Sequence, residues 1–199
     1  MPPSRWARST RLLHFGLAIT VTLQLLLSLG MEAPHKGHTA TGLPAGLFEA
    51  HEYIGLMALT IVLIHWAWSL RARDAGGLRH LFPWTRTGRG QVAAELRDLL
   101  RRRLPPGGPD GGLAGLVHGL GFLAVTGMAL TGGALFVLLP EHGDPGPLTH
   151  DLMEVHSFVA TFVWVYWFGH LGLALVHHYA GHDTLRAMFR LSDSPPDPN

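Results

Sequence analysis

Four stretches of the chain contain no charged residue and consist mainly of apolar ones. They cover residues 12–31, 53–70, 111–140 and 155–182, with lengths of 20, 18, 30 and 28 residues. A membrane-spanning helix needs about 20 mostly apolar residues, so each stretch is long enough to cross a bilayer. The pattern predicts four spanning helices, at about residues 12–31, 48–70, 113–139 and 152–178.

These four segments leave little of the 199-residue chain for a soluble domain. We therefore expect an all-α fold, an integral membrane four-helix bundle formed by a single transmembrane domain over residues 1–190. Residues 191–199 are polar and rich in proline, and they are expected to be a disordered tail. The connection after the second span predicts a short amphipathic surface helix within residues 91–103, which either faces lipid or docks a partner.

The four predicted spans divide the rest of the chain between the two sides of the membrane, and the charged residues are distributed unevenly between these sides. Fourteen of the 15 basic residues lie in the N-terminus, the middle connection and the C-terminus, and only Lys36 lies in the other two connections. Because short cytoplasmic loops carry the excess of Lys and Arg, both termini are expected to be cytoplasmic. The opposite, outer face has seven acidic residues against Lys36, a net charge of about −6 by direct count.

The composition restricts the cofactors that such a bundle can hold. The chain has no cysteine, which excludes disulfides, iron–sulfur clusters, thiolate zinc sites and covalently attached haem. It has 14 histidines, and eight of them fall in or at the ends of the predicted spans. Ionisable residues inside spanning helices are costly and usually functional, so these histidines are the candidate site residues.

Two pairs of histidines match in depth. His156 and His170 are 14 residues apart on the fourth helix, so they lie on one face and about 21 Å apart along it. Alternating topology places His51 at the depth of His156 and His14 at the depth of His170. Two bis-histidine pairs at different depths are typical of two b-type haems used for transmembrane electron transfer.

The spacing leaves one ligand open. His65 also follows His51 by 14 residues and reaches the level of His14 and His170, so the pattern does not choose between His14 and His65. Each ligand is expected to bind iron through a neutral imidazole nitrogen, with its other nitrogen held by a neighbouring group. Arg11 and Arg71 are candidates to pair with haem propionates.

The sequence resembles the bacterial cytochrome b561 family, which is related to the cytochrome b subunits of hydrogenases and formate dehydrogenases. The resemblance rests on residues 11–14, His51 with Gly55, residues 113–118, and residues 155–185 with their histidines, and it extends over residues 8–188. It implies that His14 and His170 bind an inner haem b, that His51 and His156 bind an outer one, and that His65 is not a ligand. It also implies a multi-pass protein of the bacterial cytoplasmic membrane, surrounded by lipid, that exchanges electrons with quinone as a quinone-linked oxidoreductase.

A quinone site is expected near the inner haem, where His65, His118 and His177 supply further imidazoles for proton transfer. Two related functions keep the haems: a membrane-anchor subunit of a larger dehydrogenase complex, and a superoxide:quinone oxidoreductase. A haem-free transporter or proton channel lined by histidines is the alternative from another class, but it does not explain the depth-matched pairs. The acidic outer face favours a basic extracytoplasmic redox protein or a neutral reductant over superoxide, and no nucleic-acid partner is expected.

Overall fold

The structure, a computed structural model, describes residues 7–33, 41–71, 77–103, 112–140, 145–181 and 184–189. These residues contain helices and no strand, which confirms the all-α prediction for the described part of the chain. The helices are α1 (Arg8–Leu27), α2 (Leu43–Arg71), α3 (Leu78–Leu81), α4 (Arg86–Leu100), α5 (Gly112–Leu138), α6 (Pro147–Tyr179) and α7 (Thr184–Phe189). The predicted tail, Lys36 and the outer acids Glu141 and Asp144 lie outside the described residues.

Helices α1, α2, α5 and α6 are long and apolar enough to cross a membrane. Many of their large apolar side chains are exposed, including Leu63, Phe158 and Val165 at 55%, 66% and 69%. Large exposed apolar surfaces mark contact with lipid or with a partner, and here they cover helices of spanning length. The prediction of a four-helix membrane protein is confirmed, while the orientation of the termini stays a prediction.

The first span is shifted towards the N-terminus relative to its predicted range. It begins at Arg8 because its polar first turn is held inside the protein: Thr10 and Arg11 are 6% and 4% exposed. The indole Nε1 of Trp68 donates a hydrogen bond of 3.1 Å to the Thr10 hydroxyl. The helix ends at Leu27, and a turn follows in which the Leu29 amide bonds to the carbonyl of Leu26.

Helices α2 and α6 each begin five residues before the predicted start, in segments that contain proline. Pro44 is the second residue of α2, and Pro147 is the first residue of α6. The first turn of a helix tolerates proline, because its amide would have no intrahelical partner there and its fixed φ suits the helix. Both prolines therefore belong to helix starts rather than to the loops before them.

The amphipathic helix in the middle connection is α4. Thr85 is its N-cap, and the Thr85 hydroxyl accepts a hydrogen bond of 3.0 Å from the amide of Gly88. Glu95, in the middle of α4, is 7% exposed, and its carboxylate accepts a hydrogen bond of 2.7 Å from the amide of Leu113. The contact joins the middle of α4 to the first turn of α5.

The chain forms two compact units. One comprises residues 1–15, 68–119 and 169–199, and the other comprises residues 16–67 and 120–168. The first contains α3, α4 and α7, and it also contains His14, His118, His170 and His177. The second contains His51, His65 and His156.

Candidate functional site

His51 on α2 and His156 on α6 face each other within the second unit. Their ring centroids are 6.4 Å apart and their planes make an angle of 82°. An imidazole nitrogen binds a first-row metal at about 2 Å, so two rings on opposite sides of one metal ion lie about 6 Å apart. The spacing of His51 and His156 suits two axial ligands of a single iron.

The hydroxyl of Thr131 on α5 contacts the ring of His156. Its oxygen lies 2.7 Å from Nδ1 of His156 and 2.8 Å from the carbonyl oxygen of Gly127. A hydroxyl that donates to this carbonyl can accept from His156, an arrangement that satisfies all three groups and places the proton on Nδ1. Nε2 of His156 is then left with the lone pair that a metal ligand needs.

His51 is positioned through its backbone. The side-chain amide of Gln24 on α1 donates a hydrogen bond of 2.6 Å to the carbonyl oxygen of His51. A Cβ on Gly55 would lie 3.0 Å from the nitrogen of that amide. Because glycine has no side chain, it leaves room for Gln24 at this position. Nδ1 of His51 is buried and has no hydrogen-bond partner among the described residues.

A cavity of about 440 Å³ lies in the second unit between its helices, and both His51 and His156 line it. Most of the other lining side chains are apolar, which suits a large planar apolar group. Two glycines of the lining leave room for neighbours: a Cβ on Gly132 would stand 3.1 Å from Cε1 of His156, and one on Gly133 2.9 Å from the side chain of Leu59. The apolar lining and the pair of imidazoles fit a b-type haem.

His14 on α1 and His170 on α6 make the second pair, within the first unit. Their ring centroids are 6.1 Å apart, with an angle of 59° between the planes. Phe189, the last residue of α7, packs edge-on against His14 at 6.1 Å and against Phe15 at 6.0 Å. The pair has the spacing found for His51 and His156, and α7 covers one side of it.

His118 on α5 is a third histidine beside this pair. Its ring lies 4.8 Å from that of His170, closer than two rings on opposite sides of one metal ion can lie. Nδ1 of His118 is 2.7 Å from the carbonyl oxygen of Ala114. Because a carbonyl only accepts, Nδ1 carries the proton, and the geometry suits a neighbour of the pair rather than an axial ligand.

The other predicted site residues occupy different surroundings. His65 lies in the second unit and packs against Phe122, with 4.7 Å between ring centroids. His177, in the last turn of α6, is 8% exposed. Arg11 is 4% exposed in α1, whereas Arg71 is the exposed last residue of α2.

The donor set of each pair also decides which kind of metal centre fits. Within the described residues, no group of three or more His, Cys, Asp or Glu side chains is arranged to hold a metal ion. Two imidazoles alone do not complete the coordination of a bare iron, but a haem brings four nitrogens of its own macrocycle and needs only axial ligands. The histidine pairs thus fit haem better than a bare metal ion.

Thr131, Gln24 and Phe189 were not among the residues that the sequence pointed to. Thr131 and Gln24 are polar residues inside spanning helices, and such residues commonly hydrogen-bond across helices. That signal was present in the sequence, but it does not say which partner each side chain finds. No signal in the sequence pointed to Phe189, because a single aromatic residue near the C-terminus has no distinctive pattern.

The sequence was compared with known families and proteins. No curated protein and no solved structure matches it. The family model described as prokaryotic cytochrome b561 matches residues 5–191, which is nearly the whole chain. Together with the four spanning helices and the histidine pairs, this match shows that the chain belongs to the prokaryotic cytochrome b561 family.

Proposed function

We propose that the protein carries electrons across the bacterial cytoplasmic membrane through two b-type haems and exchanges them with membrane quinone. Family membership establishes a multi-pass membrane cytochrome b that transfers electrons and binds haem b. The number of haems, their ligands and the quinone are our proposal. The observation that carries it is the presence of two separate histidine pairs, with ring spacings of 6.1 Å and 6.4 Å.

The proposed outer haem is bound by His51 and His156. When bound, the haem supplies reversible one-electron chemistry at its iron. The protein holds the two imidazoles at a spacing that would let both bind one iron, and the hydroxyl of Thr131 would accept from Nδ1 of His156. The apolar cavity wall would exclude water from a haem held there, which is one way in which a protein adjusts the reduction potential.

The proposed inner haem is bound by His14 and His170. The 6.1 Å spacing of this pair supports His14 over His65, whose ring instead packs on Phe122. Arg11 and Arg71 belong to the same unit as the pair and are our candidates for binding the haem propionates. In this proposal, the inner haem and these arginines lie on the cytoplasmic side of the membrane. The arginine-rich middle connection and both termini are on that side, because cytoplasmic segments carry the excess of positive charge.

The proposed quinone site adjoins the inner haem. Reduction of a quinone consumes protons as well as electrons, and histidine is the side chain whose ordinary pKa suits proton transfer near neutrality. His118 lies against His170, and His177 is a buried histidine in the last turn of the same helix. His118 and His177 are the residues that we propose to bind quinone or to deliver its protons, whereas His65 belongs to the second unit.

A series of histidine variants tests the ligand set. His51→Ala is expected to remove one haem of two, and His14→Ala is expected to remove the other, because each leaves a single axial imidazole at its pair. His65→Ala and His150→Ala serve as matched controls that should retain both haems; His150 is an exposed α6 histidine near Glu154. Haem is quantified per chain in the purified protein and the reduced-minus-oxidised visible spectrum is recorded.

Each result has a defined meaning. Retention of both haems in His14→Ala together with loss of one in His65→Ala would show that His65 is the inner ligand. A wild-type protein that binds one haem per chain would contradict the two-haem proposal, although membership of the family would stand. Absence of haem from the folded wild-type protein would favour the haem-free channel.

A further inference from the structure

Helix α4 presents apolar side chains on its outside although it belongs to none of the four candidate spans. Leu96, Leu99 and Leu100 are 45%, 40% and 78% exposed, and Trp84, just before the helix, is 55% exposed. At 100° per residue, Leu96 and Leu100 lie only about 40° apart around the helix, so they form one strip. Within the described residues, nothing in the structure covers this strip.

The exposed charges around that strip are all positive. Residues 86–103 contain six exposed arginines, Arg86, Arg89, Arg97, Arg101, Arg102 and Arg103. The two acidic residues of the segment are less accessible: Glu95 is buried and Asp98 is half-buried. Arg89 projects between Leu96 and Leu100 around the helix, and Arg97 lies about 60° beyond Leu100. The apolar strip therefore has one cation within it and others along one of its sides.

Two contacts hold the α4 region beside the beginning of α5. The Glu95 carboxylate accepts from the amide of Leu113, and it also accepts a hydrogen bond of 2.9 Å from the side chain of Gln91. Just before α4, the carbonyl of Leu81 packs so closely on Gly119 that a Cβ there would collide with it. Both contacts fall in the first two turns of a helix that spans the membrane, where lipid headgroups are found.

We propose that α4 is an interfacial helix that binds anionic phospholipid. In this arrangement Leu96, Leu100 and Trp84 enter the boundary between headgroups and acyl chains, while Arg89, Arg97 and Arg101 bind the phosphates. Basic amphipathic helices with Leu and Trp on the apolar side bind anionic membranes in this way, through apolar burial and charge attraction together. The proposal is independent of the haem ligands and of the quinone.

Lipid is a better match for this surface than a protein partner. The strip is narrow, with Arg89 within it and the other arginines of the helix along one side, so a protein that covered it would need acidic groups placed against a slender apolar ridge. A bilayer with anionic lipids supplies both features next to the spanning helix α5, with no further partner. Arginine also matches phosphate with two parallel hydrogen bonds, which favours phosphate oxygens as its ligands.

The absence of cysteine from the chain makes a labelling test direct. Leu100→Cys and the matched control Ala94→Cys are each labelled with an environment-sensitive fluorophore in the haem-loaded protein. Ala94 is also exposed, but it lies about 120° from Leu100 around the helix. Both proteins are placed in nanodiscs of pure phosphatidylcholine and in nanodiscs that also contain phosphatidylglycerol, and quenching by spin-labelled lipid and by aqueous iodide is measured.

We expect the label at residue 100 to be quenched by the spin-labelled lipid, and more strongly in the anionic discs, while the label at residue 94 stays accessible to iodide. Replacing Arg89, Arg97 and Arg101 together by Gln should abolish the difference between the two lipids; an unchanged haem spectrum shows that the variant is folded. Accessibility of residue 100 to iodide in both lipids would overturn the proposal. So would burial that ignores lipid charge, or burial seen only in native membranes, which would indicate a protein partner.

Discussion

At the scale of single residues, the hydroxyl of Thr131 has the clearest chemical effect on a predicted ligand. When it donates to its own helix, it can accept from His156 and so orient the ring with the proton on Nδ1. A hydrogen bond of this kind also makes the imidazole a stronger electron donor to a metal. Electron donation stabilises oxidised iron, and Thr131 should therefore lower the potential of the haem proposed at His156.

Thr131→Val is predicted to raise the midpoint potential of one haem and to leave the other unchanged, since valine keeps the shape but removes the acceptor. Loss of such a supporting group typically weakens metal binding by about 10- to 100-fold, so this haem should also be released more readily. Thr60→Val is the control, because the exposed Thr60 hydroxyl donates to the carbonyl of Leu56 in its own helix and contacts no histidine among the described residues. Spectroelectrochemical titration measures both potentials; equal shifts in the two variants would refute the role of Thr131.

The second prediction at this scale concerns quinone. Replacing His118 and His177 together by Gln is expected to slow haem reduction by a quinol, because two imidazoles that can transfer protons are lost. Haem reduction by dithionite, which needs no quinone site, should be unaffected and serves as the control. An unchanged rate with the quinol would remove these histidines from the proposed site.

The sequence indicated the candidate ligands better than their surroundings. The helical period and the expected membrane depths were enough to group His51 with His156 and to give His170 either His14 or His65 as its partner; in the structure, the rings of His51 and His156 and those of His14 and His170 lie about 6 Å apart. The pattern did not separate His14 from His65, because an axial spacing of 14 residues says nothing about which neighbouring helix a ring faces. Only packing determines that His65 lies against Phe122.

At the scale of helices and loops, the contact between α4 and α5 depends on a glycine. Gly112, the first residue of α5, has φ of 66°, and a Cβ there would collide with the carboxylate of Glu95. Glycine both adopts this left-handed conformation readily and leaves room for the carboxylate. Glu95 can then serve as an acceptor for the first turn of α5, whose amides lack intrahelical partners.

Glu95→Ala is predicted to destabilise the protein by about 0.5–2 kcal/mol, the usual cost of losing an acceptor at a helix start. Glu95→Gln should cost less, since its side-chain oxygen can still accept from the amide of Leu113. Thermal unfolding followed by circular dichroism in detergent gives both values. An Ala variant as stable as the wild type would show that this contact contributes nothing to stability.

The ends of helices were harder to predict than their presence. Apolar stretches indicated all four spans, but the predicted starts at residues 48 and 152 left out Pro44 and Pro147, which both lie in first turns. The start of α1 at Arg8 was missed for a different reason, because burial of Thr10 and Arg11 depends on tertiary contacts such as the bond from Trp68. Hydropathy detects the apolar centre of a span and not its polar turns.

At the scale of the whole molecule, the distribution of charge bears on which reductant we expect at the predicted outer face. The two connections assigned to that face carry a net charge of about −6 in the sequence, and the described acids Glu49, Asp151 and Glu154 are exposed. A negative surface repels an anion and attracts a cation. We therefore expect a basic redox protein or a neutral reductant rather than superoxide.

Haem reduction by superoxide is predicted to be slow at low ionic strength and to accelerate with added salt, because salt screens the repulsion between like charges. A neutral reductant should show no such dependence, which makes it the control. Stopped-flow absorbance at several salt concentrations measures both. Fast reduction by superoxide that slows with salt would mean that an attractive local field exists and that the basic partner is not required.

The lengths of the spanning helices differ in a way that bears on bilayer thickness. At about 1.5 Å per residue, the 20 residues of α1 measure about 30 Å, which equals the usual hydrocarbon thickness, while the 33 residues of α6 measure about 50 Å. Helix α6 can meet a thicker bilayer by changing its tilt or its immersion, but α1 has no spare length. Hydrophobic mismatch should therefore act first on α1, which carries His14, so that membrane thickness becomes a variable that strains one histidine pair.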